Sequence, residues 1–212
     1  MKSIKVFNKY YKEYEEWFEK NKNIYLSELK VLKSFIPDGL EGIEIGVGSG
    51  RFVQPLVGIK VGVEPSTEMA KIAKSRGIDV INAYAEDLPL SNNSFDFAMM
   101  VTTICFVFDP EKALKEVYRI IKKGGFVLVG YVPLDSHLGK LYSARKEKSK
   151  FYKEAHFYTK SEVKSLLQKA GFSNLTARQT IFEYKNDLIQ DYVDGDDKGG
   201  FVVVKGEKIQ EF

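Results

Sequence analysis

The sequence predicts an α/β fold: a doubly wound sheet of about seven mostly parallel strands, with an antiparallel last strand and a cap of N-terminal helices. Three observations support this prediction. Apolar runs of strand length alternate with longer segments of helical periodicity. A glycine-rich turn at residues 46–50 follows the first apolar run. The next apolar run ends in an acid, Glu64, which lies about 20 residues beyond Glu44.

The composition is that of an ordinary globular protein, with 212 residues, 44% hydrophobic and 29% charged. The one cysteine, Cys105, excludes an internal disulfide framework. Two histidines argue against a Cys/His zinc site, so we expect no metal. A net charge of +3 does not indicate a nucleic-acid partner, although it leaves a local basic patch open.

No targeting or membrane segment is predicted. No apolar run approaches the ~18 residues that would span a bilayer. The first residues, Met1-Lys2-Ser3-Ile4-Lys5, lack the apolar centre of a signal peptide. We therefore expect a cytoplasmic protein without a membrane span; the oligomeric state is left open.

We expect one domain over residues 1–212. Its predicted parts are a helical cap (1–37), a core (40–130), an insertion (132–158), and a last helix with a hairpin (159–212). The cap is predicted from aromatic residues at helical spacing, which are typical of core packing. These residues are Tyr10, Tyr11, Tyr14, Trp17 and Phe18. A second helical pattern ends before Pro37.

The stretch 43–52 reads as a buried strand, a tight turn and the start of a helix. Its glycines fit G-x-G-x-G, whereas Arg51 stands where the dinucleotide fingerprint G-x-G-x-x-G needs its third glycine. A carboxylate at Glu44 would repel a pyrophosphate, but it suits an ammonium or a sulfonium. S-Adenosylmethionine carries both of these cations and no phosphate.

The run Glu44-x-Gly46-x-Gly48-x-Gly50 resembles the first motif of class I S-adenosylmethionine-dependent methyltransferases, which have a Rossmann-like fold. The resemblance implies that these four residues bind the methionine part of the cofactor, with S-adenosylhomocysteine as the product. In this family an N-terminal helix often covers the cofactor and lends aromatic residues to the substrate cavity. The aromatic residues that the resemblance places at the substrate are Tyr10, Tyr14 and Trp17.

A short helix is predicted over 54–57, followed by a second strand over 59–64. Ser66 is a good N-cap for the helix after it. This part is similar to the second motif of the family. The resemblance implies that Glu64 binds the ribose hydroxyls and that Pro65 and Met69 flank the adenine.

The third predicted strand, 78–83, runs into Tyr84-Ala85-Glu86-Asp87-Leu88-Pro89-Leu90. This run is similar to the Asp-Ala-Glu-x-Leu-Pro-Phe run of the UbiE-like, or type 11, branch. The resemblance implies that Ala85 and Glu86 contact the cofactor. The sequence has Tyr84 where the branch has Asp, which leaves Glu86, Asp87 or a backbone carbonyl as partners for the adenine amine.

The fourth predicted strand, 94–101, leads into Thr102 and Thr103, whose backbone is expected by resemblance to accept a hydrogen bond from the methionine ammonium. The Asn or Asp followed by Pro-Pro of amide and exocyclic-amine methyltransferases is absent, which disfavours methylation of DNA adenine or of glutamine. Cys105 is expected to be buried and inert.

A helix is predicted to start at Asp109-Pro110 and to close at 122–125, before a fifth strand over 126–131. Residues 132–155 combine lysines and arginine with aromatic residues. In related methyltransferases this segment carries substrate contacts, so Tyr142 is a candidate. A functional basic cluster would favour an acidic or phosphorylated substrate, or RNA; a solvated surface is the alternative.

General-base candidates are His137 and His156, which flank the basic segment, and Tyr14 on the aromatic stripe. A capping box at 159–162 predicts the last helix. Strands over 175–180 and 201–204 should then form the final hairpin, with the last strand antiparallel inside the sheet.

The predicted function is methyl transfer from S-adenosylmethionine to an unidentified acceptor. A small molecule is the expected acceptor because the cap is aromatic and the net charge is modest; a nucleic acid is not excluded. Two alternatives remain: a non-catalytic regulatory protein that binds S-adenosylmethionine, and a nicotinamide-dependent oxidoreductase, which Arg51 and Glu44 disfavour.

Overall fold

The computed structural model describes residues 2–209. Residue 1 and residues 210–212, the ends of the predicted range, lie outside the described residues. The helices are α1 (Lys2–Lys20), α2 (Lys22–Lys33), α3 (Thr67–Ser75), α4 (Pro110–Ile120), α5 (His137–Ala144) and α6 (Lys160–Lys169). The strands are β1 (Gly42–Ile45), β2 (Ile59–Val63), β3 (Asp79–Ile81), β4 (Phe95–Val101), β5 (Ile121–Tyr131), β6 (Ser173–Thr180), β7 (Val193–Asp194) and β8 (Phe201–Glu207).

The strands form one eight-stranded sheet in the order β3-β2-β1-β4-β5-β8-β6-β7. Strands β1 to β5 are parallel, and β8 runs antiparallel between β5 and β6. The prediction of a mostly parallel sheet with an antiparallel last strand inside it is confirmed. The strand beyond the predicted seven is the two-residue β7. Because the chain leaves β1 on one side for β2 and returns on the other side as β4, the carboxyl ends of β1 and β4 flank a crevice.

Helices cover both faces of the sheet. One buried apolar cluster joins α4 and α6 to the strands, and a second joins α1, α2, α3 and α5 to the opposite face. The cap predicted for residues 1–37 therefore packs directly on the sheet through Phe18, Ile24 and Leu32. No helix in the described part of the chain is long and apolar enough to cross a membrane.

The predicted helix starts are confirmed. The Ser66 hydroxyl accepts from Met69 N, and the Asp109 carboxylate accepts from Lys112 N with Pro110 next to it. Thr159 and Glu162 form the predicted capping box, in which each side chain accepts a hydrogen bond from the other residue's backbone. These local signals need no tertiary context, because a cap satisfies orphan N–H groups of its own helix.

Two predicted boundaries are wrong. Residues 51–57 form successive turns instead of a helix, because Pro55 removes a donor and Gly58 follows it closely. The helix expected to close at 122–125 ends at Ile120, and β5 begins at Ile121 instead of Phe126. The cause is tertiary: Ile121 pairs with Phe95 of β4, which draws the segment into the sheet.

Candidate functional site

A cavity of about 240 Å³ lies between the carboxyl ends of the parallel strands and the helical cap. Its walls come from the turn after β1, the end of β2, residues 83–86, the end of β4, and the helices α1 and α2. It occupies the crevice at which β1 and β4 diverge, where open α/β sheets hold their ligands. The structure thus brings the predicted motifs, far apart in sequence, around one cavity.

The glycine turn after β1 forms the floor of the cavity. Gly46 and Gly48 line it. Their φ angles of +74° and +55° are ones that residues with a Cβ rarely adopt. A Cβ at Gly46 would overlap the side chain of Thr103, while one at Gly48 would project toward Met69 and the Tyr14 hydroxyl, 3.5 and 3.7 Å away. The bare backbone at Gly48 therefore leaves room that a ligand can fill.

Gly50 belongs to the same turn but does not line the cavity. Its φ is +84°, and a Cβ there would overlap Ile78 and touch Ala73. Gly50 lets the turn pack against α3, a role different from the ligand contact that the sequence motif implies.

Glu64, directly after β2, is 8% exposed and accepts hydrogen bonds from two other segments of the site. Its Oε2 accepts a hydrogen bond from Gly48 N at 2.8 Å, and its Oε1 accepts one from Ser66 N at 2.7 Å. Burial raises the pKa of this carboxyl, and the two backbone donors oppose that shift. A carboxylate has about four acceptor sites, so both oxygens keep acceptor capacity toward the cavity.

Glu44, in the middle of β1, is 1% exposed, and its Oε2 has no hydrogen-bond partner among the described residues. Burial, with a smaller contribution from Glu64, raises the pKa of its carboxyl well above the ordinary value. A buried carboxylate without a cationic partner is costly. The charge that it lacks is one that an ammonium supplies, so the residues present fit the amino acid end of S-adenosylmethionine.

The predicted adenine side of the cavity is lined by Pro65, Met69, Ala85 and Glu86, together with Tyr84. The ring of Tyr84 is 47% exposed. Glu86 Oε1 is engaged by the backbone: it accepts from Phe108 N at 2.7 Å and from Asp109 N at 3.2 Å. Glu86 therefore braces the start of α4 as well as lining the cavity.

Thr102 and Thr103 line the cavity at the end of β4. Thr102 has a φ of +49°, an uncommon backbone conformation for a residue with a branched side chain, and such outliers cluster at functional sites. Its N–H donates to Gly130 O at 2.7 Å, which holds the turn. The Thr103 hydroxyl donates to Val101 O and Gly46 O, so it joins β4 to the glycine turn.

Of the four predicted substrate residues, Tyr14, Trp17 and Tyr142 line the cavity and Tyr10 does not. Tyr10 lies at a kink in α1, with φ −115° and ψ 26°, and the Nζ of Lys150 sits 4.7 Å from its ring centre. Burial raises the pKa of Tyr14 well above its ordinary value, and the nearby carboxylate of Glu44 adds to this. The Tyr14 phenol therefore stays protonated at neutral pH, which suits an orienting hydrogen bond better than general-base work.

The structure does not bring the two histidines to the cavity. His137 begins α5 and His156 follows a short 3₁₀ turn; both are exposed, and neither lines the cavity. His156 donates its backbone N–H to Cys105 O. Burial raises the pKa of the Cys105 thiol to about 12, so it remains a thiol at neutral pH.

Sequence reasoning missed a buried acid and several aromatic residues that line the cavity. Glu28 of α2 is 6% exposed, and no side chain or backbone group of the described residues donates a hydrogen bond to its carboxyl. Its signal was present, because Glu28 lies on the helix face that Tyr25 and Leu32 bury. The aromatic residues that were missed are Phe7, Phe52, Phe106, Phe151 and Tyr152.

Helix α1 is fastened over the glycine turn at two points. Glu15 pairs with Arg51 and with Arg76, and Arg76 also donates to Ser49 O at 2.5 Å. These three charged side chains are 17–20% exposed. Nearer the N-terminus, Asn8 Oδ1 accepts from the Ser66 hydroxyl at 2.8 Å and from Glu68 N at 3.1 Å. The helix thus covers the cavity, and we expect it to act as a lid.

We expect Glu15→Gln to loosen this lid. The change leaves Arg51 and Arg76 without their shared anion and lowers the free energy of unfolding by about 1–3 kcal/mol. Amides of α1 should exchange hydrogen at least tenfold faster, equivalent to about 1.4 kcal/mol. Glu16→Gln is the matched control, because Glu16 forms an exposed pair with Lys20. Equal exchange in the two variants would contradict the lid role of Glu15.

Residues 2–209 contain no group of three or more His, Cys, Asp or Glu side chains placed to hold a metal ion. Glu44 does not itself line the cavity; it lies in the strand that leads into the glycine floor.

Comparison with known proteins identifies the family of the chain. The methyltransferase domain family of type 11 matches residues 43–129, from β1 to β5. An uncharacterized protein of Methanocaldococcus jannaschii is 47% identical over 208 residues, which cover 97% of this chain and 100% of that relative.

Solved structures agree. A SAM-dependent methyltransferase of Thermotoga maritima, described as a possible histamine N-methyltransferase, has a TM-score of 0.93 and 50% identity over 96% of this chain and 98% of its own. Phosphoethanolamine N-methyltransferase 2 of Haemonchus contortus, solved with S-adenosyl-L-methionine, shares the fold: its TM-score is 0.64 at 18% identity over 86% of this chain and 52% of that one. The chain therefore belongs to the class I S-adenosylmethionine-dependent methyltransferases, in the type 11 branch, and is an enzyme that uses S-adenosylmethionine as its cofactor.

Proposed function

We propose that this enzyme methylates a small-molecule acceptor held between the cofactor and the aromatic side of the cavity. The observation that carries the proposal is the cover that α1 forms over the cavity: Phe7, Tyr14, Trp17 and Phe18 of this helix line it, opposite the glycine turn. An enclosed apolar cavity with few polar groups is typical of a small-molecule site. A polymer would need an open groove.

In the proposed arrangement Glu44 holds the cofactor's ammonium, and the bare backbone of Gly46 and Gly48 lies under its methionine part. Glu64 accepts hydrogen bonds from the ribose, and Pro65 and Met69 flank the adenine. The orphaned carboxylate oxygen of Glu44 and the free acceptor capacity of Glu64 support this assignment. Ala85, Glu86, Thr102 and Thr103 complete the proposed cofactor contacts; Gly50 shapes the turn.

S-Adenosylmethionine supplies a methyl group on a sulfonium sulfur, so that attack by an acceptor lone pair forms a bond to the methyl carbon, breaks the carbon–sulfur bond, and leaves S-adenosylhomocysteine. The protein's own task is to align the acceptor and exclude water. Tyr14 is placed for this, because its hydroxyl lies near Gly48 and its ring contacts those of Phe7 and Phe18. Trp17 and Tyr142 add apolar walls.

Nitrogen is the acceptor atom that we propose. The Thermotoga protein, which is described as a possible histamine N-methyltransferase, supports this choice. A nucleic-acid acceptor receives no support from the cavity, because none of the described lysines or arginines lines it. The basic side chains of 140–153 do not line the cavity, and the one of them that pairs with a lining residue, Lys150, is neutralised by Glu13.

Two measurements test the proposal. In thermal unfolding, a ligand at 100 times its dissociation constant adds about 2.7 kcal/mol, so S-adenosylmethionine and S-adenosylhomocysteine should each raise Tm by several degrees while NAD does not. Next, the enzyme is incubated with methyl-labelled cofactor and a cell extract. Label in molecules that pass an ultrafiltration membrane supports a small acceptor. Label retained with RNA or protein contradicts it.

A further inference from the structure

The acidic character of the cavity is the feature that the proposed function leaves unexplained. Four glutamates line it: Glu13, Glu28, Glu64 and Glu86. No lysine, arginine or histidine among the described residues joins them. A cavity with carboxylates and no cation attracts positive ligands and repels phosphate or carboxylate. S-Adenosylmethionine, with its cationic centres, accounts for part of this arrangement.

Glu28 differs from the other three acids because no group of the described residues forms a hydrogen bond or an ion pair with its carboxyl. Glu64 accepts from Gly48 N and Ser66 N, Glu86 accepts from Phe108 N, and Glu13 pairs with Lys150 at the surface. Glu28 is 6% exposed as a residue and lines the cavity, and burial alone raises its pKa, with no hydrogen bond or neighbouring charge contributing. Its carboxyl is therefore free to pair with a polar group of a ligand in the cavity.

The surroundings of Glu28 specify the kind of ligand. Tyr142 and Tyr152 line the same cavity and stack with ring centres 5.1 Å apart. Trp17 and Phe52 line it as well. A buried acid in an aromatic cavity matches a protonated amine, which pairs with the carboxylate and lies against the rings. A phosphate would meet acidic side chains and no cation there.

We propose that Glu28 is the acceptor-binding residue and that the acceptor is a small organic amine without a phosphate or carboxylate, held by an ion pair between its ammonium and Glu28. This inference rests on the proposed function, since it assigns a chemical class to the same acceptor. An acceptor without a phosphate distinguishes this enzyme from one that acts on phosphoethanolamine. The paired ammonium has no free lone pair, so the methyl group goes to another nucleophilic atom of the same molecule. Glu28 binds the acceptor and takes no part in bond making.

The protonation of Glu28 provides a second, independent test of the proposed ion pair. Burial raises the pKa of Glu28 to about 8, so near neutral pH the free carboxyl is mostly protonated. An ammonium stabilises the carboxylate, so binding of the amine should release about one proton. Neither a neutral ligand nor a merely structural Glu28 would produce this release.

The experiment is titration calorimetry of enzyme saturated with S-adenosylhomocysteine. The probes are phenethylamine, tryptamine and histamine, with phenethyl alcohol and tryptophol as uncharged counterparts and phosphoethanolamine as the phosphorylated amine. At least one of the first three should bind at least tenfold tighter than its uncharged counterpart and than phosphoethanolamine. In buffers of different ionisation enthalpy, its binding should release about one proton.

Glu28→Gln should weaken that amine at least tenfold, abolish the proton release, and leave the affinity for the uncharged counterpart and for S-adenosylhomocysteine within twofold. Glu28→Asp should keep the preference for the amine, and Glu16→Gln, on the outer surface, should behave as wild type. Unchanged amine affinity in Glu28→Gln overturns the inference, as does tighter binding of phosphoethanolamine, or no binding by any amine probe. Failure of the wild-type enzyme to bind S-adenosylhomocysteine would instead contradict the proposed function. Failure of the proposed function and failure of the Glu28 inference are therefore distinguishable.

Discussion

Glu64→Ala is expected to weaken S-adenosylhomocysteine binding at least tenfold, which corresponds to about 1.4 kcal/mol. Two effects act together. The change removes the proposed partner of the ribose hydroxyls, and it leaves Gly48 N and Ser66 N without their acceptor. A buried donor left unpaired costs about 1–3 kcal/mol, and here the cost falls on the turn that forms the floor of the cavity. Titration calorimetry measures the affinity directly.

The control for this variant is Glu68→Ala, which removes a carboxylate of α3 that pairs with Lys71 at the surface. Its affinity should stay within about twofold, because exposed pairs contribute little. A deoxyribose analogue of S-adenosylhomocysteine separates the two effects. Wild-type enzyme should discriminate against the analogue, and Glu64→Ala should not. Equal discrimination by both enzymes would refute the ribose role.

The ligand-free enzyme is expected to lose stability as pH rises from about 5 to about 8. Burial raises the pKa of Glu28 to about 8 in the folded state, while an unfolded Glu titrates near 4.3. Below the unfolded pKa the group is protonated in both states and its contribution is fully present. Above it, the unfolded chain gains by ionising while the folded protein retains the proton. Each unit of difference is about 1.4 kcal/mol, so the loss approaches about 5 kcal/mol by pH 8.

Denaturant unfolding across this pH range, in wild type and in Glu28→Gln, measures the effect. Glu44 and Glu64 have raised pKa values as well and contribute with the same sign. The free energy of unfolding of Glu28→Gln should therefore fall less steeply with pH than that of the wild type. The test compares these two slopes and not the absolute stabilities. Parallel declines in the two proteins would show that Glu28 ionises normally in the fold. Trp17, the one tryptophan, reports unfolding by fluorescence from the wall of the cavity.

The cofactor side of the site was predictable because its determinants are local. Glu44 and Gly46 lie on one strand and its turn, and Glu64 ends the neighbouring strand. Hydrophobic runs fix those strands, and in a parallel sheet their carboxyl ends meet at one edge whatever the helices do. Spacing along the chain therefore translates directly into proximity in space.

The acceptor side was only partly predictable because it is assembled from segments that are distant in sequence. Helical periodicity indicates that Tyr14 and Trp17 are buried, but it does not say whether they face a cavity or the core. Tyr10 has the same spacing and lies outside, because α1 kinks at that residue. Phe151 and Tyr152 lie at a short 3₁₀ turn that has no hydrophobic period. The position of Glu28 on a buried helix face is visible in the sequence, but its place in the cavity lining is not.

The position of α1 affects how the cofactor and the acceptor reach the cavity. The same helix holds the glycine turn through Glu15 and presents Tyr14 and Trp17 to the cavity. We therefore expect cofactor and acceptor to enter and leave past the same helix. Opening of α1 should then set an upper bound on turnover when both are at saturating concentration.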